Sequence, residues 1–204
     1  NDWVFRATKE QLDRGKLVGI VGGDHSVPLG FLKALAKKYS DFGVLQIDAH
    51  HDFRESYEGF TYSHASIFSN ALEIGNISKL VQVGIRDYCE EEVAKAKKEG
   101  KRVAVFYDQQ MKENLFSGVN WNDECENIIE QLPENVYVSF DIDGLNPKLC
   151  PETGTPVPGG LEFPEAFFLL KKVVEKLLVS IYVKLEIMNG MRMLEHEFYI
   201  NCRI

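Results

Sequence analysis

Three short segments of this chain carry acidic and imidazole side chains at spacings suited to holding divalent cations. Gly22-Gly23-Asp24-His25-Ser26, Asp48-Ala49-His50-His51-Asp52 and Ser139-Phe140-Asp141-Ile142-Asp143-Gly144 lie at or beyond the ends of apolar runs. Asp141 and Asp143 are two residues apart, and on an extended strand such side chains share a face. Asp48, His50 and Asp52 have the same spacing and converge if the chain stays extended there. Brought together, the segments would concentrate four carboxylates and two imidazoles at one place. Two like charges in contact repel by about 4 kcal/mol at an effective dielectric near 20, so the cluster needs a cation. Carboxylate and imidazole without thiolate suit a hard to borderline ion, Mn²⁺ ahead of zinc or iron. Each piece alone has a plainer explanation. A D-x-D at a strand end often caps a turn, and a lone histidine is often a satisfied core residue. Three such pieces at three strand ends point to a metal centre.

The elements that must position these residues are legible in the hydrophobic pattern. Short apolar runs at Leu17 to Val21, Gly43 to Ile47, Leu80 to Ile85, Val103 to Tyr107 and Val136 to Ile142 read as buried strands. Between and after them, Val27 to Tyr39, Glu90 to Lys98, Trp121 to Leu132 and Phe163 to Leu177 read as helices. Asn122 or Asp123 is the predicted N-cap of the third, and Phe167, Leu170 and Val174 the predicted apolar face of the fourth. Strands that are apolar on both faces and alternate with helices indicate a parallel sheet covered on both sides. In such sheets ligands bind beyond the carboxyl ends of the strands, where all three segments fall.

The 204 residues suffice for one α/β domain spanning 1–204. Hydrophobic residues make up 45% and charged residues 26%, a soluble globular profile. The formal net charge of -8 argues against a nucleic-acid partner and suits a small cationic substrate. No apolar run is long enough to span a bilayer, so no membrane partner is expected. Four cysteines without a C-x-x-C pair imply a reducing, cytoplasmic setting. The first residue is Asn1, which reads as a cut N-terminus. A nucleotide-binding domain is the competing reading of Gly22-Gly23, but a full G-x-G-x-x-G is missing and the nearby carboxylates would repel phosphate.

In order, G-G-D-H-S, D-A-H-x-D and S-x-D-x-D-G-L-x-P resemble the three signature segments of the ureohydrolases, the family of arginase, agmatinase and formimidoylglutamase. The loop Pro151 to Leu161 (P-E-T-G-T-P-V-P-G-G-L) resembles that of agmatinases, and the likeness runs from about residue 18 to 174. The resemblance implies a three-layer αβα fold with a mainly parallel sheet and a centre of two Mn²⁺. Its ligands would be His25, Asp48, His50, Asp52, Asp141 and Asp143, with Asp48 and Asp141 bridging both ions and His25 and Asp143 each serving one. Asp24, Ser139 and Asn146 would support them from behind. It also implies hydrolysis of a guanidino C–N bond to urea and an amine. Two adjacent ions lower the pKa of a shared water from about 15.7 towards 7, and His64, in Tyr62-Ser63-His64-Ala65-Ser66, would pass a proton to the leaving amine. Relatives form homo-trimers or hexamers.

Departures from the family pattern refine the expectation. Asn146 stands where the family usually has Asp. Cys89, in Arg86-Asp87-Tyr88-Cys89, replaces the acidic residue with which arginase reads an α-amino group. The arginase pattern that grips an α-carboxylate is not visible between Phe53 and Ser63. These changes favour agmatine-like substrates, with arginase or formimidoylglutamase activity as alternatives. Residues 176–204 are atypical, and the family's late D-x-x-E-V segment, whose glutamate holds the guanidinium, is missing there. With permitted codons, regrouping each codon's last base with the next two turns Val179 to Leu185 into F-D-L-C-E-V. The residues after it become D-N-E-W-D-A-N-V-G-A-R. The C-terminal stretch is therefore expected to be read out of frame, the restored glutamate spanning the codons of Val183 and Lys184. The chain as given would then have weak or no activity, or be an inactive product that still binds metal.

Overall fold

The computed structural model describes residues 1–184, the last seven by backbone alone. The expectation of a shifted frame falls largely on residues 185–204, outside those described. The elements, in order, are α1 (Asp2–Asp13), β1 (Ile20–Gly22), α2 (Pro28–Lys38), β2 (Phe42–Ile47), α3 (Ile67–Ala71) and β3 (Ile77–Ile85). Then follow α4 (Glu90–Lys98), β4 (Val103–Tyr107), α5 (Asp108–Phe116), α6 (Trp121–Ile129), β5 (Asn135–Asp141), α7 (Phe163–Lys176) and β6 (Leu178–Lys184). Strand order is β1-β6-β5-β2-β3-β4, and every pairing is parallel.

The two-residue period of β2 divides the core. Val44 packs in a cluster with Phe31, Leu32 and Phe68 from α2 and α3. Its neighbour Leu45 packs in a second cluster with Met111, Ile128, Leu169 and Val173 from α5, α6 and α7. Helices therefore cover both faces, giving the expected three layers. Each fully buried Leu, Val or Phe contributes roughly 1.5–3 kcal/mol relative to exposure, so these stripes fix which helix lies on which face.

Several sequence-level expectations are corrected. The first strand is not buried: it shrinks to Ile20–Gly22, lies at the sheet edge and leaves Val21 71% exposed. The cap of α6 is Asn120, whose side chain accepts from the Asp123 N–H at 3.0 Å, two residues before Asn122. On α7 the buried stripe is Ala166, Leu169, Leu170 and Val173, while Phe167 faces outward and stacks near Phe163. The sequence reading also missed α1, α3, α5 and β6.

The chain reverses its direction of travel across the sheet between β2 and β5. From β2 it steps outward to β3 and β4, then returns to lay β5 on the other side of β2 and β6 beyond it. The carboxyl ends of β2 and β5 thus flank a topological switch point, where side loops part and leave a crevice.

Candidate metal centre

At that crevice β5 ends in Asp141, and β2 ends one residue before Asp48. The chain then leaves the extended path, and Asp52 takes φ 55°. Even so, Asp48, His50 and Asp52 are brought to the same place. His25 arrives on the turn between β1 and α2, a turn held by the Ser26 N–H donating to Asp24 Oδ1 at 2.6 Å. Gly144 is required by close approach, since a Cβ there would lie 2.7 Å from the backbone nitrogen of Asp48.

The ring nitrogens and carboxylate oxygens converge in two groups. His25 Nδ1 lies 3.1 Å from Asp48 Oδ2, 3.0 Å from Asp52 Oδ2 and 3.2 Å from Asp141 Oδ2. His50 Nδ1 lies 3.5 Å from Asp48 Oδ1 and 3.2 Å from Asp143 Oδ2. Two ligand triads result, His25–Asp48–Asp141 and Asp48–His50–Asp143, and they share Asp48.

Backbone and side-chain donors hold each of these carboxylates in place. Asp48 Oδ1 accepts from the His50 N–H, Asp141 Oδ1 from the Asp143 N–H, and Asp143 Oδ1 from the Ala49 N–H. Thr155 Oγ1 donates to Asp143 Oδ2 at 3.1 Å. Ser139 Oγ is 2.8 Å from His25 Nε2. With that nitrogen carrying the proton, Nδ1 keeps its lone pair for a cation. Of the other supporting residues named from sequence, Asp24 is exposed in its turn, and Asn146 Nδ2 donates to Glu162 Oε1 at the start of α7.

Electrostatics show how ill-suited this cluster is to standing without a cation. Burial opposes charge on His25, but the carboxylates of Asp141, Asp48 and Asp52 outweigh it and raise its pKa well above the ordinary value. Burial likewise opposes charge on His50, yet Asp143 and Asp48 push it up to about 11. Burial, then the neighbouring Asp48 charge, lifts Asp52 to about 7 and Asp143 to about 6. Asp48 goes the other way: burial would raise it, but the two imidazoles hold it well below the usual carboxylate range. Without a cation, the raised groups, His25, His50, Asp52 and Asp143, are the ones that favour their protonated forms. Cation uptake must displace those protons, because imidazole ligates neutral and carboxylate ionised. Groups with raised pKa keep their protons until the pH passes that value, so affinity rises with pH. Between pH 6 and 8 Mn²⁺ affinity is expected to rise by about ten-thousandfold, with about two protons released per chain. Titration calorimetry in buffers of different ionisation enthalpy reads that number, and a pH-independent affinity would refute the assignment.

Beside the centre lies a cleft of about 250 Å³. His64 lines it with His50, Asp52, Asp141 and Asp143, its ring edge-on to Tyr57 at 5.3 Å. Asp87, Tyr88, Cys89 and Glu92 line it as well. Arg54, also in the lining, lies 3.8 Å from Glu92 Oε2, which answers its charge.

Other functional positions escaped the sequence reading. Arg86 spreads its guanidinium over backbone carbonyls, donating to Asp143 at 2.7 Å, to Gly84 and Leu145 at 3.1 Å and to Val157 at 3.0 Å. It ties the end of β3 to the loop after β5. Buried behind Asp48 are Gln46, Gln82 and His51. Burial holds the His51 pKa below the ordinary histidine value. Glutamines inside otherwise apolar strand segments, L-Q-I and V-Q-V, are the signal that could have marked them.

Comparison with known proteins agrees with this architecture. Residues 2–184 match the arginase family. An N(1)-aminopropylagmatine ureohydrolase of Thermus thermophilus is 39% identical over 163 residues, 79% of this chain and 52% of that protein. An agmatinase of Bacillus anthracis is 34% identical over 80% of this chain and 52% of its own. The solved proclavaminate amidino hydrolase from Streptomyces clavuligerus superposes with a TM-score of 0.76 at 28% identity, over 91% of this chain and 61% of that one. The chain spans about half the length of the curated relatives it matches.

Proposed function

The chain belongs to the arginase family, and from that premise we propose that it serves a two-metal hydrolase releasing urea and an amine from an agmatine-like guanidino compound. The observation that carries this reading is the sharing of Asp48 by two carboxylate–imidazole triads at the ends of β2 and β5. The donor set fits two hard divalent cations, which we take to be Mn²⁺. His25, Asp52 and Asp141 would hold one ion with Asp48, and His50 and Asp143 the other with the same Asp48. When bound, such a pair supplies hydroxide at neutral pH and stabilises charge developing at the guanidino carbon.

The chain's own residues do the rest. The carboxylate of Asp87 and the rings of Tyr57 and Tyr88 suit the cleft to a cation, Glu92 being matched by Arg54. The relatives named for agmatine and its N(1)-aminopropyl derivative act on substrates of that kind by name. His64 passes a proton to the departing amine, a task that suits an imidazole at the mouth of the site. The assembly is a homo-trimer or hexamer in the reducing cytoplasm, a setting in keeping with the free thiols Cys89, Cys125 and Cys150. Among the described residues no helix is long and apolar enough to cross a membrane.

The shifted frame from about Lys176 bears directly on the test. A missing charge-assisted partner for the guanidinium costs about 3–5 kcal/mol, a rate loss of a hundredfold or more. Urea release from agmatine, N(1)-aminopropylagmatine and arginine, and formamide release from formimidoylglutamate, are measured for the Mn²⁺-loaded chain and for a frame-restored version. The restored version is expected to turn over agmatine-type substrates at least about a hundredfold faster. In it, His64→Asn is expected to slow turnover by roughly 10²–10⁴-fold with both ions retained. No urea from either version overturns the function, and loss of metal in His64→Asn overturns the role of that residue.

A further inference from the structure

The buried polar groups behind Asp48 are arranged head to tail. His51 Nδ1 lies 2.6 Å from Gln82 Oε1, Gln82 Nε2 donates to Gln46 Oε1 at 2.6 Å, and Gln46 Nε2 donates to Asp48 Oδ2 at 2.8 Å. Sequence and register make the row. Gln46 is two residues before Asp48, hence on the same face of β2. It pairs across the sheet with Gln82 on β3 and with Ser139 on β5. Ser139 in turn stands two residues before Asp141 and reaches His25. One transverse line of polar side chains therefore underlies the centre, in a sheet whose neighbouring positions are apolar.

The orientation of the two amides is over-determined. Gln46 Nε2 also donates to the His50 carbonyl at 3.0 Å, and Gln82 Nε2 to the His51 carbonyl at 3.0 Å. Flipping either amide would set its oxygen against a backbone oxygen, and for Gln46 against a carboxylate as well. With both amides locked, Gln82 presents its oxygen to His51, so His51 must donate through Nδ1. Every donor in the chain then points towards Asp48. Such aligned dipoles polarise one another in a low-dielectric interior and favour negative charge at the terminal oxygen.

We propose that His51, Gln82 and Gln46 form a one-directional relay that positions Asp48 and fixes its Oδ2 as the oxygen turned to the His25 side of the metal pair. These are positioning residues acting through Asp48, and the inference rests on the two-metal reading of the centre. Partners that orient metal ligands change affinity by about 10–100-fold when removed.

A double-mutant cycle read on Mn²⁺ binding tests the relay without relying on turnover. Gln46→Leu is expected to weaken Mn²⁺ by about 10–100-fold and Gln82→Leu by about tenfold, both keeping a cooperative thermal melt. Because Gln82 reaches the Asp48 carboxylate through Gln46, and otherwise holds the His51 carbonyl, the double variant is expected to lose clearly less affinity than the two single losses multiplied. The electron paramagnetic resonance signal of the coupled ion pair is expected to change in both single variants, whereas mere loss of stability leaves it as in wild type. Should a glutamine variant fail to fold, His51→Phe serves instead. The His51 ring stacks on Phe53 at 5.4 Å, so a phenyl ring keeps that packing and removes the Nδ1 donor together with the 3.5 Å contact of Nε2 to the Tyr107 hydroxyl. It is then expected to shift the same signal and weaken Mn²⁺. Losses that multiply in the double variant, or a wild-type affinity and signal in the single ones, overturn the relay while leaving the centre intact. A wild-type chain that takes up no Mn²⁺ overturns both.

Discussion

Replacing Asp48 with Asn is expected to abolish binding at both metal positions, not one. Asp48 is the residue common to the two triads, with Oδ2 3.1 Å from the ring of His25 and Oδ1 3.5 Å from that of His50. Asn keeps the shape but removes the charge, and its amide nitrogen would meet Gln46 donor to donor or a cation head-on. Losing a buried, hydrogen-bonded charge from such a cluster costs about 3–5 kcal/mol, or two to four decades of affinity at 1.4 kcal/mol per decade. Asp143→Asn touches one triad and is expected to leave one ion bound. Metal content after desalting, with calorimetric titration of Mn²⁺, separates the two. If Asp143→Asn empties the centre as thoroughly as Asp48→Asn, the two-triad arrangement is wrong.

The second large effect is expected at Arg86, and it is a stability effect. The guanidinium donates to the carbonyls of Gly84, Asp143, Leu145 and Val157, and it is only part-buried. Burial lowers its pKa from the usual arginine value, with the carboxylates of Asp108 and Asp143 opposing that shift. Arg86→Met keeps the aliphatic stem and strips the donors. Each stranded buried carbonyl costs about 1–3 kcal/mol, less where water can enter. A total of about 3–5 kcal/mol is expected in urea denaturation. Arg86→Lys is expected to recover less than half, since an ammonium cannot span carbonyls on two loops. The Asp143 carbonyl is one of those held, so Mn²⁺ affinity should fall alongside stability. A change below about 1 kcal/mol would show that water replaces the clamp.

Much of this was legible from residue types because the chemistry concentrates where the pattern breaks. D-A-H-H-D and S-F-D-I-D interrupt apolar strands with charge, and six such residues at three strand ends point to a ligand role. The central strands β2, β3 and β5 were legible because parallel strands covered on both faces are apolar throughout, and β4, at the far edge, carries an equally apolar run. β1 was misjudged for the same reason: L-V-G-I-V is as apolar as a central strand, but sheet order, which no local pattern encodes, puts it at the edge. The stripe on α7 was misjudged because its heptad offers two overlapping apolar faces, and packing against α6 and β5 chose Ala166, Leu169 and Val173 over Phe167. Gln46 and Gln82 were passed over because a polar residue in a strand has no fixed meaning until its cross-strand neighbours are known, and Arg86 was read only as part of a motif because most of its carbonyl partners lie on a loop far off in sequence.

The place of β6 in the sheet has a bearing on how the protein is made. Among the described residues β1 has β6 as its sheet neighbour, and β6 begins 156 residues after β1 ends, Leu178 against Gly22. On a ribosome adding roughly 5–20 residues per second, that separation is a wait of about 8–30 s. During it β2 can already pair with β3, and β5 with β2, so the Asp48–His50–Asp143 triad has its framework first. The strand that leads into His25 is still without its partner. The centre would therefore fill in a fixed order during synthesis, and the nascent chain would hold a single ion before it could hold a pair.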